Sequence, residues 1–253
     1  MAHLKKINSF DSIINRLENI FPNQSCIETL YKYQTFAGDY PLLKIVLGKG
    51  NQRRALISAG IHGDEPGGVE AILNFLANEA PFINEWEITF LPCINPYGYE
   101  FGIRENHEGK DLNRLFKEAD PPIEVVFAKS VFARAFELTL ELHEDDGSHG
   151  YYLYQKGINA KYDGFGLEIL NSVKNIMPTN LDDEIDGSAA YQGVIGKDMD
   201  ISSMDWWPMA LYGVSQGTQI SLTLEAAGCF NIETRINAHL TAIKTVLTTF
   251  NKF

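Results

Sequence analysis

The stretch 57-ISAGIHGDEPGG-68 starts as an apolar, β-branched run and breaks off into His62 and Glu65, followed at once by Pro66 and two glycines. A short apolar run bounded by turn residues reads as a buried strand. Pro66 suits the first position of a helix, which the shared face of Val69, Ile72, Leu73 and Leu76 extends over residues 66–79. Working outward, Ser9 or Asp11 caps a helix closed by Pro22, and 26-CIETLYKYQTF-36 with 41-PLLKIVLG-48 forms a hairpin turned at Gly38 and Asp39. Downstream, 86-WEITFLPCIN-95 is a strand, 95–120 an irregular loop and 121–136 a helix. The strands 136-FELTLELH-143 and 151-YYLYQ-155 follow, then a helix over 165–176, a loop-rich stretch over 178–210, the strand 218-TQISLTLEA-226 and a closing helix over 231–250. Strands alternating with helical crossovers predict an α/β fold: a mixed, mostly parallel central sheet with helices on both faces. No repeat, low-complexity tract or linker divides the chain, so residues 1–253 read as a single domain.

Composition narrows the partners. With 21 Lys plus Arg against 33 Asp plus Glu, the formal charge of -12 repels polyphosphate backbones and anionic membrane surfaces, which speaks against nucleic acid. Cys26, Cys93 and Cys229 are odd in number and form no CxxC pair, so they read as thiols in a reducing compartment. No apolar run reaches the ~18 residues of a membrane span and the first residues lack a cleavage pattern, which together predict a soluble, cytoplasmic protein. The sequence carries no signal for oligomeric state.

Sites in open α/β sheets gather where strands end. Three strands here end in potential ligands: one delivers His62 and Glu65, one His143, and one Glu225. Two imidazoles and a carboxylate, with a fourth position open to water, are the ligand set of a catalytic zinc ion. Each residue also has an ordinary reading. A lone HxxE arises by chance in roughly one chain of this histidine content in three, and His62 or His143 alone reads as a hydrogen-bonded strand-end histidine. His149 competes with His143 for the third place, while His3, His107 and His239 read as non-ligands.

The loop 95-NPYGYEFGIRENHEGKDLNRLF-116 changes that balance, because it sets Asn95, Pro96, Gly98, Arg104, Asp111, Asn113 and Arg114 in order between the strand-end groups. With HGDE upstream, His143 and 223-TLEAAG-228, the pattern resembles the zinc carboxypeptidase family of the carboxypeptidase A type, along residues 57–228. The resemblance implies one zinc ion held by His62, Glu65 and His143, with Glu225 as general base and acid. It further implies that Arg104 polarises the scissile carbonyl, that Asn113 and Arg114 grip a terminal carboxylate, and that Asp111 partners the first zinc histidine. Tyr191 and Tyr212 are candidates for the mobile tyrosine of the family's peptidases, and Trp206 and Trp207 for a pocket wall; core packing is the ordinary alternative for all four.

Those roles agree with elementary chemistry. A carboxylate that is not a ligand can take a proton from activated water and pass it to a leaving amine. A planar guanidinium matches a carboxylate bidentately, where a lysine would not. The expected function is zinc-dependent hydrolysis of an amide bond next to a free carboxylate, by a metallocarboxypeptidase or peptide amidase. The alternative is an N-acyl amino acid amidohydrolase of the succinylglutamate desuccinylase/aspartoacylase branch, and a noncatalytic ligand- or metal-binding relative is a third reading. The substrate is accordingly a small peptide or an N-acyl amino acid. The acidic run Glu144, Asp145 and Asp146 is expected either to face the cleft and favour cationic substrates or to form a solvated loop, and a second metal near it stays open.

Overall fold

A computed structural model describes residues 5–78, 85–196 and 204–253. Its centre is a ten-stranded sheet in the order β1-β2-β4-β3-β5-β10-β6-β9-β8-β7. The four middle strands, β4 (Trp86–Leu91), β3 (Arg53–Ala59), β5 (Leu138–Asp145) and β10 (Ile220–Ala227), run parallel. On one flank the hairpin of β1 (Ile27–Thr35) and β2 (Gly38–Leu47) joins β4 antiparallel. On the other, β6 (Tyr152–Gly157) joins β10 antiparallel and leads to the short strands β9 (Val194–Ile195), β8 (Ser188–Tyr191) and β7 (Glu184–Ile185). The sheet is therefore mixed, and parallel where it is most buried.

Alternation along the middle strands decides which face is oil. Ala55, Ile57 and Ala59 of β3, Leu138, Leu140 and Leu142 of β5, and Ile220, Leu222 and Leu224 of β10 all join one core cluster. That face is covered by α1 (Phe10–Ile20), α2 (Pro66–Asn78), α5 (Phe165–Val173) and α7 (Ile232–Thr249). The opposite face carries α4 (Ile123–Ser130) and α6 (Met209–Ser215) over a cluster that includes Leu56, Phe127, Phe136 and Met209. There the intervening residues Ser58, Thr139, Glu141, His143, Ser221, Thr223 and Glu225 turn polar toward the strand C-termini, and Thr139 donates its hydroxyl proton to Ser221 at 2.8 Å. One half of that face thus cannot be core, and it becomes the floor of a cavity.

Some expectations shift in detail. The irregular loop over 95–120 contains α3 (Pro96–Phe101), capped by Asn95 and ended by Gly102 at φ 59°, and a 3-10 turn over Leu112–Arg114. The helix over 121–136 shortens to α4 plus a 3-10 turn at Val131–Ala133. The loop-rich stretch 178–210 supplies β7, β8 and β9 and the start of α6. No helix among the described residues is long and apolar enough to cross a membrane. His3 lies outside the described residues.

Candidate metal centre and substrate cleft

After β3 the chain turns through His62 and Glu65 into α2, which leads to β4 on one side; from β4 the chain crosses through α4 to β5 on the other. The C-terminal crevice between β3 and β5 is therefore a topological switch point, where ligands of open α/β sheets bind. His143 enters it from β5, and β10 aligns Glu225 beside His143 in the parallel register. The turn holding the first two groups is tight: a Cβ on Gly63 would fall 1.9 Å from the Gly98 backbone, so only glycine lets this turn rest on α3.

His62, Glu65 and His143 are all buried, and one donor atom of each lies within 4.8 Å of the others. Glu65 joins them, its Oε1 2.6 Å from His62 Nδ1 and its Oε2 2.8 Å from His143 Nδ1. The remaining ring nitrogens face carboxylates: His62 Nε2 is 3.2 Å from Asp111 Oδ1, and His143 Nε2 is 3.9 Å from Glu141 Oε2. Two Nδ1 atoms and a carboxylate converging on one point, with each imidazole backed by a second carboxylate, fit a divalent ion of the zinc type. Burial alone would raise the Glu65 carboxyl, but the two histidines overrule it and hold it down at about 2. For His143, burial opposes the charged form, and Glu65 and Glu141 nevertheless raise it well above the usual imidazole range. The centre attracts positive charge.

Arg104 closes one side of this centre. Its Nε and Nη2 donate to Asp111 Oδ2 at 3.1 and 3.0 Å, and its Nη1 lies 3.2 Å from His62 Nδ1 and 3.5 Å from Glu65 Oε1. Asn95 fixes the backbone that carries it, because its side-chain amide donates to the carbonyls of Arg104 and Glu105 at 3.3 and 3.1 Å. Burial would lift the Asp111 carboxyl as well, and its contacts with His62 and Arg104 hold it well below the usual range. Asn113 accepts from the Met209 backbone N–H at 2.9 Å through Oδ1, which turns its N–H2 edge the other way. The Arg114 guanidinium lies 4.3 Å from the centre of the Trp206 ring, a stack that holds the planar fork in one orientation.

His62, Glu65, His143, Arg104, Asn113 and Arg114 line one cavity of about 650 Å³ with Glu225. Burial pushes the Glu225 carboxyl up to about 8; His143 opposes the rise, and Glu65, Asp145 and Asp186 add to it. A cation on the donor trio would draw it back down.

The floor was not foreseen. Ser221, Thr223 and Glu225 of β10 pair with Lys156, Tyr154 and Tyr152 of β6, and all six line the cavity. The polar alternation in 220-ISLTLE-225 is the signal that could have found it. Tyr152 donates to Asp145 Oδ2 at 3.0 Å and Tyr154 to Asp186 Oδ2 at 2.8 Å. Asp186 occupies the positive-φ first place of the two-residue Asp186–Gly187 turn between β7 and β8.

The acidic run divides. Glu144, Asp145 and Asp146 all border the cavity, but the Glu144 carboxylate is buried behind the centre, 2.9 Å from Arg235, and is not a free charge in the cleft. Tyr212 packs between Phe116 and Phe132 in the core, and Tyr191, 67% exposed, is not among the cavity-lining residues. Trp206 reaches the cavity, while Trp207 packs against the second core cluster. His149 is exposed, its Nδ1 3.8 Å from Asp182 Oδ2; His239 is fully buried against Tyr151.

Residues 51–157 match the succinylglutamate desuccinylase/aspartoacylase catalytic domain family. That span holds every group above from His62 to His143 and ends before Glu225. Murein peptide amidase A of Escherichia coli K12 is 34% identical over 80 residues, 32% of this chain and 32% of that protein, so the likeness spans about a third of the curated relative. Among solved structures, a candidate metallopeptidase of Shewanella denitrificans OS217 superposes with a TM-score of 0.78 at 21% identity, over 95% of this chain and 90% of the other. A metallo-carboxypeptidase from Burkholderia cenocepacia gives 0.72 at 17% identity, over 97% and 70%. The chain thus matches that catalytic-domain family over residues 51–157 and shares the fold of the metallo-carboxypeptidase structures.

Proposed function

We propose that the chain, acting as a single catalytic domain, is a zinc-dependent hydrolase that cleaves an amide bond next to a free carboxylate in a small peptide. The observation that carries this reading is that one cavity unites the His62, Glu65 and His143 trio, the unligated Glu225, and the Arg114 fork beside Asn113. A zinc ion held by the trio would supply Lewis acidity to a water molecule and to the scissile carbonyl. Glu225 takes a proton from the attacking water and returns it to the departing nitrogen, which suits a carboxyl that lines the same cavity and is not one of the three donors. Arg104, already beside the centre, offers N–H groups to the oxygen on which charge develops. Arg114 and the N–H2 edge of Asn113 hold the carboxylate of the released residue. The name of the Escherichia coli relative favours a murein-type peptide as substrate.

A second reading, an N-acyl amino acid amidohydrolase, is favoured by the catalytic-domain match over residues 51–157. Both reactions need the same groups and differ in what precedes the cleaved bond. A zinc-replete hydrolysis screen across murein peptides, C-terminal peptides and N-acyl amino acids separates them. Run beside the wild type, Glu225→Gln keeps the side-chain shape and should lose turnover by roughly 10²–10⁴ with zinc content unchanged. Near-normal turnover in that variant would remove Glu225 from the reaction, and hydrolysis confined to N-acyl amino acids would select the second reading.

A further inference from the structure

Along β5 the side chains alternate, so Glu144, next to the ligand His143, points to the oil face rather than into the cleft. It is buried there beneath the first turn of α2. A Cβ added to Gly67 would fall 2.1 Å from Glu144 Oε1, so the carboxylate fills the space that glycine leaves. Arg235 of α7 reaches it from behind, Nη1 to Oε2 at 2.9 Å, with both side chains largely removed from water. The same residue touches the centre from the front: the Glu144 backbone N–H donates to Glu65 Oε2 at 3.2 Å. Glu65 immediately precedes α2, so whatever sets the start of that helix against the end of β5 also sets how Glu65 meets His143.

We infer that Glu144, braced by Arg235, is a positioning residue for the metal centre: its side chain wedges the start of α2 at the separation from β5 at which Glu65 and His143 chelate one ion. A negative group at a helix N-terminus is favourable in itself. The ion pair with Arg235 adds a directional contact from behind, and the close approach to Gly67 limits the carboxylate from above. A purely apolar contact would fill the same space without fixing it, and the ligands would meet the ion in a broader range of geometries.

This inference rests on the zinc reading of the trio. Its test is zinc affinity, measured on the folded protein by competition with a chromophoric chelator and set beside the melting temperature of the metal-free form. Glu144→Gln removes the charge, and Gly67→Ala displaces the carboxylate without changing any charge. Each should weaken zinc binding by about 10–100-fold, the range seen when partners behind ligands are removed. If Glu144→Gln does not fold, the double variant Glu144→Leu/Arg235→Met removes both charges together, an exchange that stability often tolerates, and should show the same loss of affinity. Lower melting temperatures with unchanged zinc affinity would overturn the inference, since that is what a structural ion pair alone predicts. A wild type that binds zinc no better than His143→Ala would overturn the metal-centre reading instead, and the inference with it.

Discussion

If Arg114 grips a carboxylate, its removal should erase a discrimination rather than merely slow a reaction. The perturbation is a square of four measurements: wild type and Arg114→Ala, each with a substrate ending in a free carboxylate and with the same substrate capped as an amide. The guanidinium is half-buried and held against Trp206 at 4.3 Å, so little side-chain freedom remains to be lost when a carboxylate arrives. A charge-assisted hydrogen bond contributes about 1.5–3 kcal/mol. Because the site is open to water on one side, the lower part of the range for truncating a buried charged pair applies, about 2–3 kcal/mol. That corresponds to roughly 30–150-fold in kcat/KM between the acid and the amide for the wild type. Arg114→Ala should lose most of this preference through the acid alone, leaving turnover of the amide nearly unchanged. Initial rates at substrate concentrations well below KM give all four values directly. If the variant kept the wild-type preference, the carboxylate would be bound elsewhere, and the assignment of the cleaved bond's position would fall with it.

His143→Ala should remove a ligand and reduce bound zinc, by elemental analysis, from one equivalent to well below it; equal zinc in both proteins would take His143 out of the centre. Asp145→Asn with Asp186→Asn should lower kcat/KM for cationic substrates more than for neutral ones, with the gap shrinking as salt is added; an equal effect on both would assign the two Tyr–Asp pairs to holding the cavity wall. His239 is pushed down to about 3 by burial, its Nδ1 3.0 Å from the Tyr151 hydroxyl, so it folds neutral. Its folded value is depressed, so its contribution to stability is complete above the ordinary imidazole value of about 6.5 and falls by up to about 1.4 kcal/mol per pH unit as pH drops toward 3. Urea unfolding of the metal-free protein between pH 4 and 7 should show a shallower acid limb in His239→Gln than in the wild type, and parallel curves would refute the assignment.

The middle of the fold and the order of the cleft-lining groups were legible because both rest on short-range pattern. An apolar run that stops at a histidine announces its strand and the strand's end together; HGDE and TLEAAG sit where β3 and β10 stop, and RENHEGKDLNR follows β4 after the short helix α3. What escaped depends on partners distant in sequence. Helix α3 carries the signals of a helix in Asn95, Pro96 and Gly102, yet its six residues include a glycine and gain their stability by packing on α1 and β2. Helix α6 has no side-chain cap and is held by the sheet beneath it. The direction of Glu144 was decided by one step of strand periodicity, and the run of three acids concealed that step because charge along a sequence says nothing about which face it occupies. The cavity floor could be named only once β6 was known to pair with β10, a contact no local window contains.

The strand that carries Glu225 is inserted between β5 and β6 although it follows both in the chain. During synthesis, all three metal donors are therefore made well before the proposed base. A chain halted before Ile220 would hold His62, Glu65 and His143 but would expose unpaired edges on both β5 and β6, a gap one strand wide. The same insertion that completes the sheet brings in the proposed acid–base group, so on that proposal the site gains its activity only once β10 has been made and seated.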